Sequence, residues 1–296
     1  MKIWSTLKFI ADHPLNKGRK IKALAGFVKW QIGSRLVPGD VVYPWINGIK
    51  FFVHPGETGL TQNIYCGLQE FHDMAYVLHV MEAGDTFVDV GANAGSYMLL
   101  ACGVKGAGGY CFEPVPSTYQ RLTNNIKLND LSARVKAFNV GVADKEGELF
   151  FTTGLDTTNH AVARGEADDN VIRVKVLPLD MVLEEVNPAL IKIDVEGLEM
   201  LVLNGMRQTL KKASLHSVIM ELNGNGKRYG FDDKDIMNSM SDYSFRMYQY
   251  DPFHRILIPA SESNSFTGNT LFLRNVSFIQ DRLARAGRVR IGYMEI

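Results

Sequence analysis

Residues 87–97 read FVDVGANAGSY: an apolar strand, a glycine-bounded turn of small residues and the first residues of a helix. A strand that feeds a helix through such a turn opens a doubly wound α/β sheet. Gly91 permits the tight turn, and Ala92, Asn93, Gly95 and Ser96 let the backbone approach a ligand closely. The free N–H groups where the next helix starts, around Ser96 and Tyr97, suit the carboxylate of an amino-acid moiety. Asp89, at the carboxyl end of the strand, is placed to meet an ammonium group directly or through water.

The pattern around this unit extends it to a sheet. From Asp85 onward, strands are predicted at 86–90, 109–112, 135–140, 190–193, 217–222, 245–250 and 270–274. Helices are predicted at 96–102, 117–128, 179–185, 199–212 and 232–240. Such alternation implies a mostly parallel sheet covered on both faces. No helix separates the last two strands, so these two should pair antiparallel. Residues 147–153 and 171–177 are strand-like and bracket a polar loop, a hairpin excursion. The fold class expected is therefore α/β and Rossmann-like, with a seven-stranded sheet and a helical N-terminal extension. Four regions follow: a basic helical extension over 1–40, a hairpin and helix over 41–84, the catalytic domain over 85–275, and a tail over 276–296. In the first, Ile21, Leu24, Ala25, Val28, Ile32 and Leu36 recur at helical spacing, and residues 1–36 read as helical. In the second, Asn47-Gly48 marks a hairpin turn.

Two features choose the ligand. A pyrophosphate-binding fingerprint would place Gly at 91, 93 and 96, where this chain has Gly91, Asn93 and Ser96. Asp89 would also be a poor neighbour for a diphosphate. Glu113 follows the second strand 22 residues after Gly91, where this fold sets an acid on ribose hydroxyls, and Pro114 ends that strand. The pair favours S-adenosylmethionine over a dinucleotide. Residues 139–144, NVGVAD, place Gly141 and Val142 beside the adenine, although a strand-to-hairpin turn explains Gly141 nearly as well.

Taken together, VDVGANAGSY at 88–97, FEP at 112–114 and IKIDVEGLE at 191–199 resemble the FkbM family of methyltransferases. The resemblance covers residues 84–274. It implies a class I methyltransferase fold and methyl transfer from S-adenosylmethionine, commonly to a hydroxyl oxygen. Members act on sugars, lipids and secondary metabolites, so the acceptor stays unnamed. A sugar, a glycan or a hydroxylated metabolite is the expected class. Two rival readings are a dinucleotide-dependent oxidoreductase and a non-catalytic cofactor-binding module.

Methyl transfer to an alcohol needs a positioned acceptor oxygen and a group that takes its proton, either a base or a metal-bound oxygen. Asp194 ends the fourth strand and Glu196 opens the following turn. Asp194 is read as general base or metal ligand, with helix capping as the alternative. Glu196 points inward or merely favours the first turn of the next helix. Asp194, Glu221 and Asn223 together would suit Mg²⁺ if a metal is used. His160 is a third proton acceptor by its titration range, against a solvated loop histidine. Tyr65 either closes over the methionine end of the cofactor or packs.

Charge sets the remaining expectations. The chain carries 32 basic and 32 acidic residues, so no global field calls for nucleic acid. Yet residues 1–35 hold eight Lys/Arg and one acid, Asp12. A membrane surface or an anionic polymer fits that end, as does a helix covering the core with its cations outward. Cys66, Cys102 and Cys111 show no CxxC pair and read as buried free thiols of a reducing compartment. No apolar run reaches the ~20 residues of a span, and no cleavage site follows the N-terminus, so a cytoplasmic protein is expected.

Overall fold

A computed structural model of the chain describes residues 2–37, 39–54, 60–152, 160–162, 170–260 and 268–296. The N-terminal part holds α1 (Lys2–Asp12), α2 (Lys20–Leu36), the hairpin β1 (Val41–Pro44) and β2 (Lys50–Val53), α3 (Thr61–Cys66) and α4 (Phe71–Val80). Then come β3 (Thr86–Val90), α5 (Ser96–Met98), β4 (Gly108–Phe112), α6 (Pro116–Leu128) and β5 (Val135–Phe138). A small excursion of β6 (Gly141–Val142), β7 (Gly147–Thr152) and β8 (Val171–Leu177) leads through α7 (Leu179–Val182) to β9 (Leu190–Ile193). The last part comprises α8 (Glu199–Asn204), β10 (Ser217–Leu222), α9 (Asp233–Asp242), β11 (Arg246–Asp251), β12 (Ile256–Pro259) and β13 (Gly268–Leu273). It ends with α10 (Val276–Arg285), β14 (Arg290–Ile291) and β15 (Met294–Glu295).

The central sheet has the order β12-β11-β13-β10-β9-β3-β4-β5. Strands β5, β4, β3, β9 and β10 are parallel, and β13 inserts antiparallel between β10 and β11. The seven expected strands are all present, and β11 pairs antiparallel with β13 as anticipated. Among the described residues the count is eight, however, because β12 adds an antiparallel edge to β11. Its four residues follow a turn in which the Asp251 carboxylate accepts from the backbone of Phe253 and His254. A run that short, closed by Pro259 at an edge, carries little periodic signal.

Three expectations on helices need correction. The N-terminal 36 residues form two helices instead of one, since Pro14 opens a 3₁₀ turn and Gly18 turns left-handed at φ +80°. Buried Asn16 fastens this corner by donating to the carbonyls of Ile10 and Tyr65. After the glycine turn, α5 lasts one turn and widens into a π-helix over Leu99–Val104. The tail is no tail: α10 packs on α4 and Arg282 grips Asp85, at the head of β3, with two guanidinium nitrogens.

Apolar side chains cover both sheet faces. Under α8 and α9, one cluster gathers Val88, Val90, Ile191, Ile193, Val218 and Met220. Under α4, α5, α6 and α10, the other gathers Phe87, Leu190, Ile219, Leu271 and Leu273. Alternate residues of each strand thus enter opposite cores, the period-two pattern of a sheet buried on both sides.

Candidate active site

The same alternation decides which charged groups meet. Asp89 shares a face with Phe87, Lys192 with Leu190, Glu221 with Ile219 and Asn269 with Leu271. Asp89 stands opposite Lys192 in the β3–β9 register, and Glu221 opposite Asn269 in β10–β13. Just past β9, Asp194 donates its N–H to the Val90 carbonyl at 2.9 Å and accepts the Lys192 ammonium at 2.8 Å. Helix α4 covers this face, and Glu70 at its start accepts the Tyr97 hydroxyl at 2.5 Å.

A cavity of about 300 Å³ opens at these strand ends. Its lining includes Asp89, Gly91, Ala92, Asn93, Ser96, Tyr97, Glu113, Pro114, Gly141, Val142, Asp194, Glu196 and Glu221. Gly95 is not in the lining; at φ +92° it caps the short helix α5. Asn93 takes the left-handed conformation at φ +48°, and its side-chain oxygen accepts the Ala94 N–H at 2.7 Å. Asparagine tolerates that geometry where most residues would not.

Tyr65 lies elsewhere. Its ring packs edge-on against Phe27 at 5.1 Å, and its hydroxyl accepts from Gln31. The same stretch instead sends Leu60 and Gln62 to the cavity. His160 is also outside the lining, bonded through its backbone to Thr152, but its ring is near enough to Glu196 to favour that carboxylate's charge. Thr157, Thr158 and Asn159, its loop neighbours, lie outside the described residues. Asn223 does not turn an oxygen toward Asp194. Its carbonyl accepts the Asn225 N–H, and its amide donates to Glu221 at 2.9 Å, so it orients a carboxylate and is no ligand in this arrangement. Glu196 takes that third place: Asp194, Glu196 and Glu221 each offer an oxygen within 4.8 Å of the others.

Burial sets the electrostatics. Both Asp89 oxygens are buried without a hydrogen bond of ordinary geometry, and burial pushes its pKa up to about 7 despite the nearby Lys192 and the Met98 backbone N–H. Burial also lifts Glu113 to about 7, although its carboxylate accepts the N–H groups of Asn93 and Val115 at 3.0 and 2.9 Å. Glu221 rises to about 8 through burial, with Asp194 and Glu196 adding to the shift. Burial raises Glu196 as well, and its backbone sits left-handed at φ +54° while Asn225 holds its carboxylate at 2.9 Å. Holding a non-glycine residue in that conformation costs backbone strain, which its surroundings must offset. For Lys192, burial acts to lower the pKa, but Asp194, Glu70 and Asp89 outweigh it and the ammonium stays charged.

Lys192, Glu70 and Gln69 were not among the residues picked from sequence, although all three line the cavity. Lys192 had a local signal: a lysine inside an apolar four-residue strand, LIKI, has to find a partner when both faces are covered.

The profile of the methyltransferase FkbM domain matches residues 89–247, more than half of the chain. The chain belongs to this family. Membership in a methyltransferase family favours S-adenosylmethionine over a dinucleotide as the ligand of this cavity. Among characterised proteins, the hexuronic acid methyltransferase AglP of Haloferax volcanii is 31% identical over 171 residues, 56% of this chain and 65% of that protein. The match therefore spans slightly under two thirds of the relative's length. Among solved structures, precorrin-6y C5,15-methyltransferase of Geobacter metallireducens superposes with a TM-score of 0.40 at 9% identity, covering 70% of this chain and 88% of that one. Precorrin-8w decarboxylase of Methanobacterium thermoautotrophicum gives 0.40 at 13%, covering 69% and 89%.

The cavity fits the methyl donor chemically. Asp89 offers a buried carboxylate with free lone pairs to a cationic amino group, and Glu113 retains lone pairs for ribose hydroxyls beside its two backbone bonds. Val115, Val140, Val142 and Phe151 supply apolar wall for a base. Asp89→Ala and Glu113→Ala are each expected to weaken S-adenosylhomocysteine binding at least tenfold, since a charge-assisted hydrogen bond contributes about 1.5–3 kcal/mol. Titration calorimetry showing wild-type affinity in both folded variants would remove these residues from the cofactor site.

Proposed function

We propose that the chain transfers the methyl group of S-adenosylmethionine to a hydroxyl oxygen of a sugar, free or within a glycan. The convergence of Asp194, Glu196 and Glu221 on the cofactor cavity carries this reading. When bound, S-adenosylmethionine supplies a methyl group already activated on a sulfonium. The protein's residues then hold the donor, align the acceptor oxygen and take its proton. Asp89 faces the amino group, Gly91–Tyr97 bring backbone close to it, and Glu113 faces the ribose. Pro114, Gly141 and Val142 border the adenine.

The carboxylate cluster takes the acceptor proton. Asp194 is fixed by Lys192, Glu196 by Asn225 and Glu221 by Asn223, so three oxygens are aimed by separate partners. Grouped carboxylates accept hydrogen bonds from hydroxyls and repel a carboxylate group brought beside them. The relative's printed name points to a uronic acid, which carries both groups, and this cluster selects its hydroxyl over its carboxylate. Isotope transfer from labelled S-adenosylmethionine to uronic-acid and neutral sugar acceptors tests this. Label that survives mild alkali is an ether; label that mild alkali releases is an ester and rejects hydroxyl selection.

Proton uptake by the cluster also predicts a pH profile. A carboxyl raised to about 8 is mostly protonated below that value and becomes a proton acceptor above it. Turnover should therefore climb as pH rises through about 8. The spacing of the same three oxygens admits a second reading, a hard cation such as Mg²⁺ held by Asp194, Glu196 and Glu221. A bound cation would keep all three ionised and flatten that limb. Loss of activity in EDTA with recovery in Mg²⁺ selects the cation, and insensitivity with the alkaline rise selects the base. A flat profile without chelator sensitivity removes Glu221 as the base and leaves the role to Asp194 or His160.

The three cysteines are buried free thiols, which fits a reducing, cytoplasmic setting. The basic first 36 residues fit an anionic surface as a second contact, apart from the cofactor cavity.

A further inference from the structure

In a helix that covers a domain, the apolar stripe faces inward. On α2 the stripe at Ile21, Ala25, Val28, Ile32 and Leu36 faces solvent. Ile21 is 86% exposed, Val28 51%, Ile32 60% and Leu36 77%. The opposite side is apolar as well: Phe27 packs on Tyr65, and Trp30 on Tyr43. The inward side is thus satisfied without the stripe, which runs about 22 Å along the helix. Lys20, Lys22, Lys29 and Arg35 are exposed on the same helix, which contains no acidic residue. Helix α1 packs beside it and exposes Ile3 and Trp4 at 58% and 77%, with Lys8 also exposed.

We propose that this face docks on an anionic lipid bilayer. The apolar stripe enters the boundary between headgroups and acyl chains, and the flanking cations meet the acidic headgroups. Charge argues against a second copy of the chain as occupant, because Lys20 is already paired with Asp12 at 3.2 Å and two such helices would still bring Lys22, Lys29 and Arg35 against their own copies. A soluble polyanion would satisfy the lysines and leave Ile21, Ile32 and Leu36 in water. Among the described residues no helix is long and apolar enough to cross a membrane, so the contact is interfacial.

Flotation of the full chain with vesicles tests this. Phosphatidylcholine vesicles with about 30% phosphatidylserine should carry the protein at least tenfold better than phosphatidylcholine alone. The Ile21→Ser/Ile32→Ser double variant should lose binding roughly tenfold or more, and Lys22→Gln/Lys29→Gln should lose the preference for anionic vesicles. These side chains are solvent-exposed, so both variants should keep the wild-type Tm and S-adenosylhomocysteine affinity, which separates this outcome from failure of the methyltransferase site. A wild-type protein that stays unbound with anionic vesicles overturns the proposal. So do stripe variants that float like the wild type. A dimer in light scattering that the stripe substitutions dissociate would assign the face to a second copy and overturn it too.

Discussion

Asp194→Asn is expected to lower turnover by about 10²-fold or more, the usual order for losing a general base, while S-adenosylhomocysteine affinity changes by no more than about threefold. The substitution keeps the side chain's size and its place just beyond β9, where the backbone bond to Val90 holds it. It removes the charge that pairs with Lys192 at 2.8 Å and that lies within 4.8 Å of oxygens of Glu196 and Glu221. Lys192 keeps Glu70 and Asp89 as counter-charges at the cofactor end of the cavity. Single-turnover rates with a sugar acceptor, set beside calorimetry with S-adenosylhomocysteine, make the comparison. Near-normal turnover in the folded variant rejects Asp194 as base and as cation ligand alike. A parallel loss of affinity would show that the residue serves the donor more than the acceptor.

How much of this site could be read in advance depends on the range of the interactions that build it. The glycine turn at 91–95 was legible because strand, turn and helix follow one another within eleven residues, and each step has its own chemistry. Strand order was partly legible from alternation alone. The cover over the cavity was not. Glu70 reaches Tyr97 because α4 packs on β11, α10 and the π-helix that follows α5, through a core shared with Phe87, Leu190 and Ile219, all distant in sequence. Nothing local to Glu70 announces that contact. Asn223 shows the converse limit: its position beside Glu221 was evident, but whether its oxygen or its amide faces the cluster is settled by the Asn225 backbone. Helix α2 misleads more thoroughly. Its best periodic stripe points outward, because Phe27, Trp30 and Ser34 supply the packed face and periodicity does not say which of two apolar faces is covered.

The packing of β3 on β9 also makes Gly91 the most sensitive position at the site. Gly91→Ala is expected to cost about 2–5 kcal/mol of stability and to abolish cofactor binding, from two sources that can be measured apart. The first is backbone strain, because φ is +79° and an alanine there costs about 1–2 kcal/mol. The second is steric: a Cβ at this point would overlap the Asp194 carbonyl oxygen and lie 2.9 Å from its carbonyl carbon. Both neighbours are backbone, fixed by the Asp194 N–H bond to Val90, so no side chain can swing aside. The strand ends must part, and Asp89 and Asp194 move with them; overpacking of this kind adds about 1–3 kcal/mol. Gly224 provides the control. It has φ +76° with nothing within 4 Å of its added Cβ, so Gly224→Ala carries the strain without the clash. Urea unfolding of both variants isolates the steric part as their difference, and calorimetry reports the cofactor. Equal destabilisation in the two, with S-adenosylhomocysteine still bound by Gly91→Ala, would show that close approach of β3 and β9 at this glycine does not shape the site.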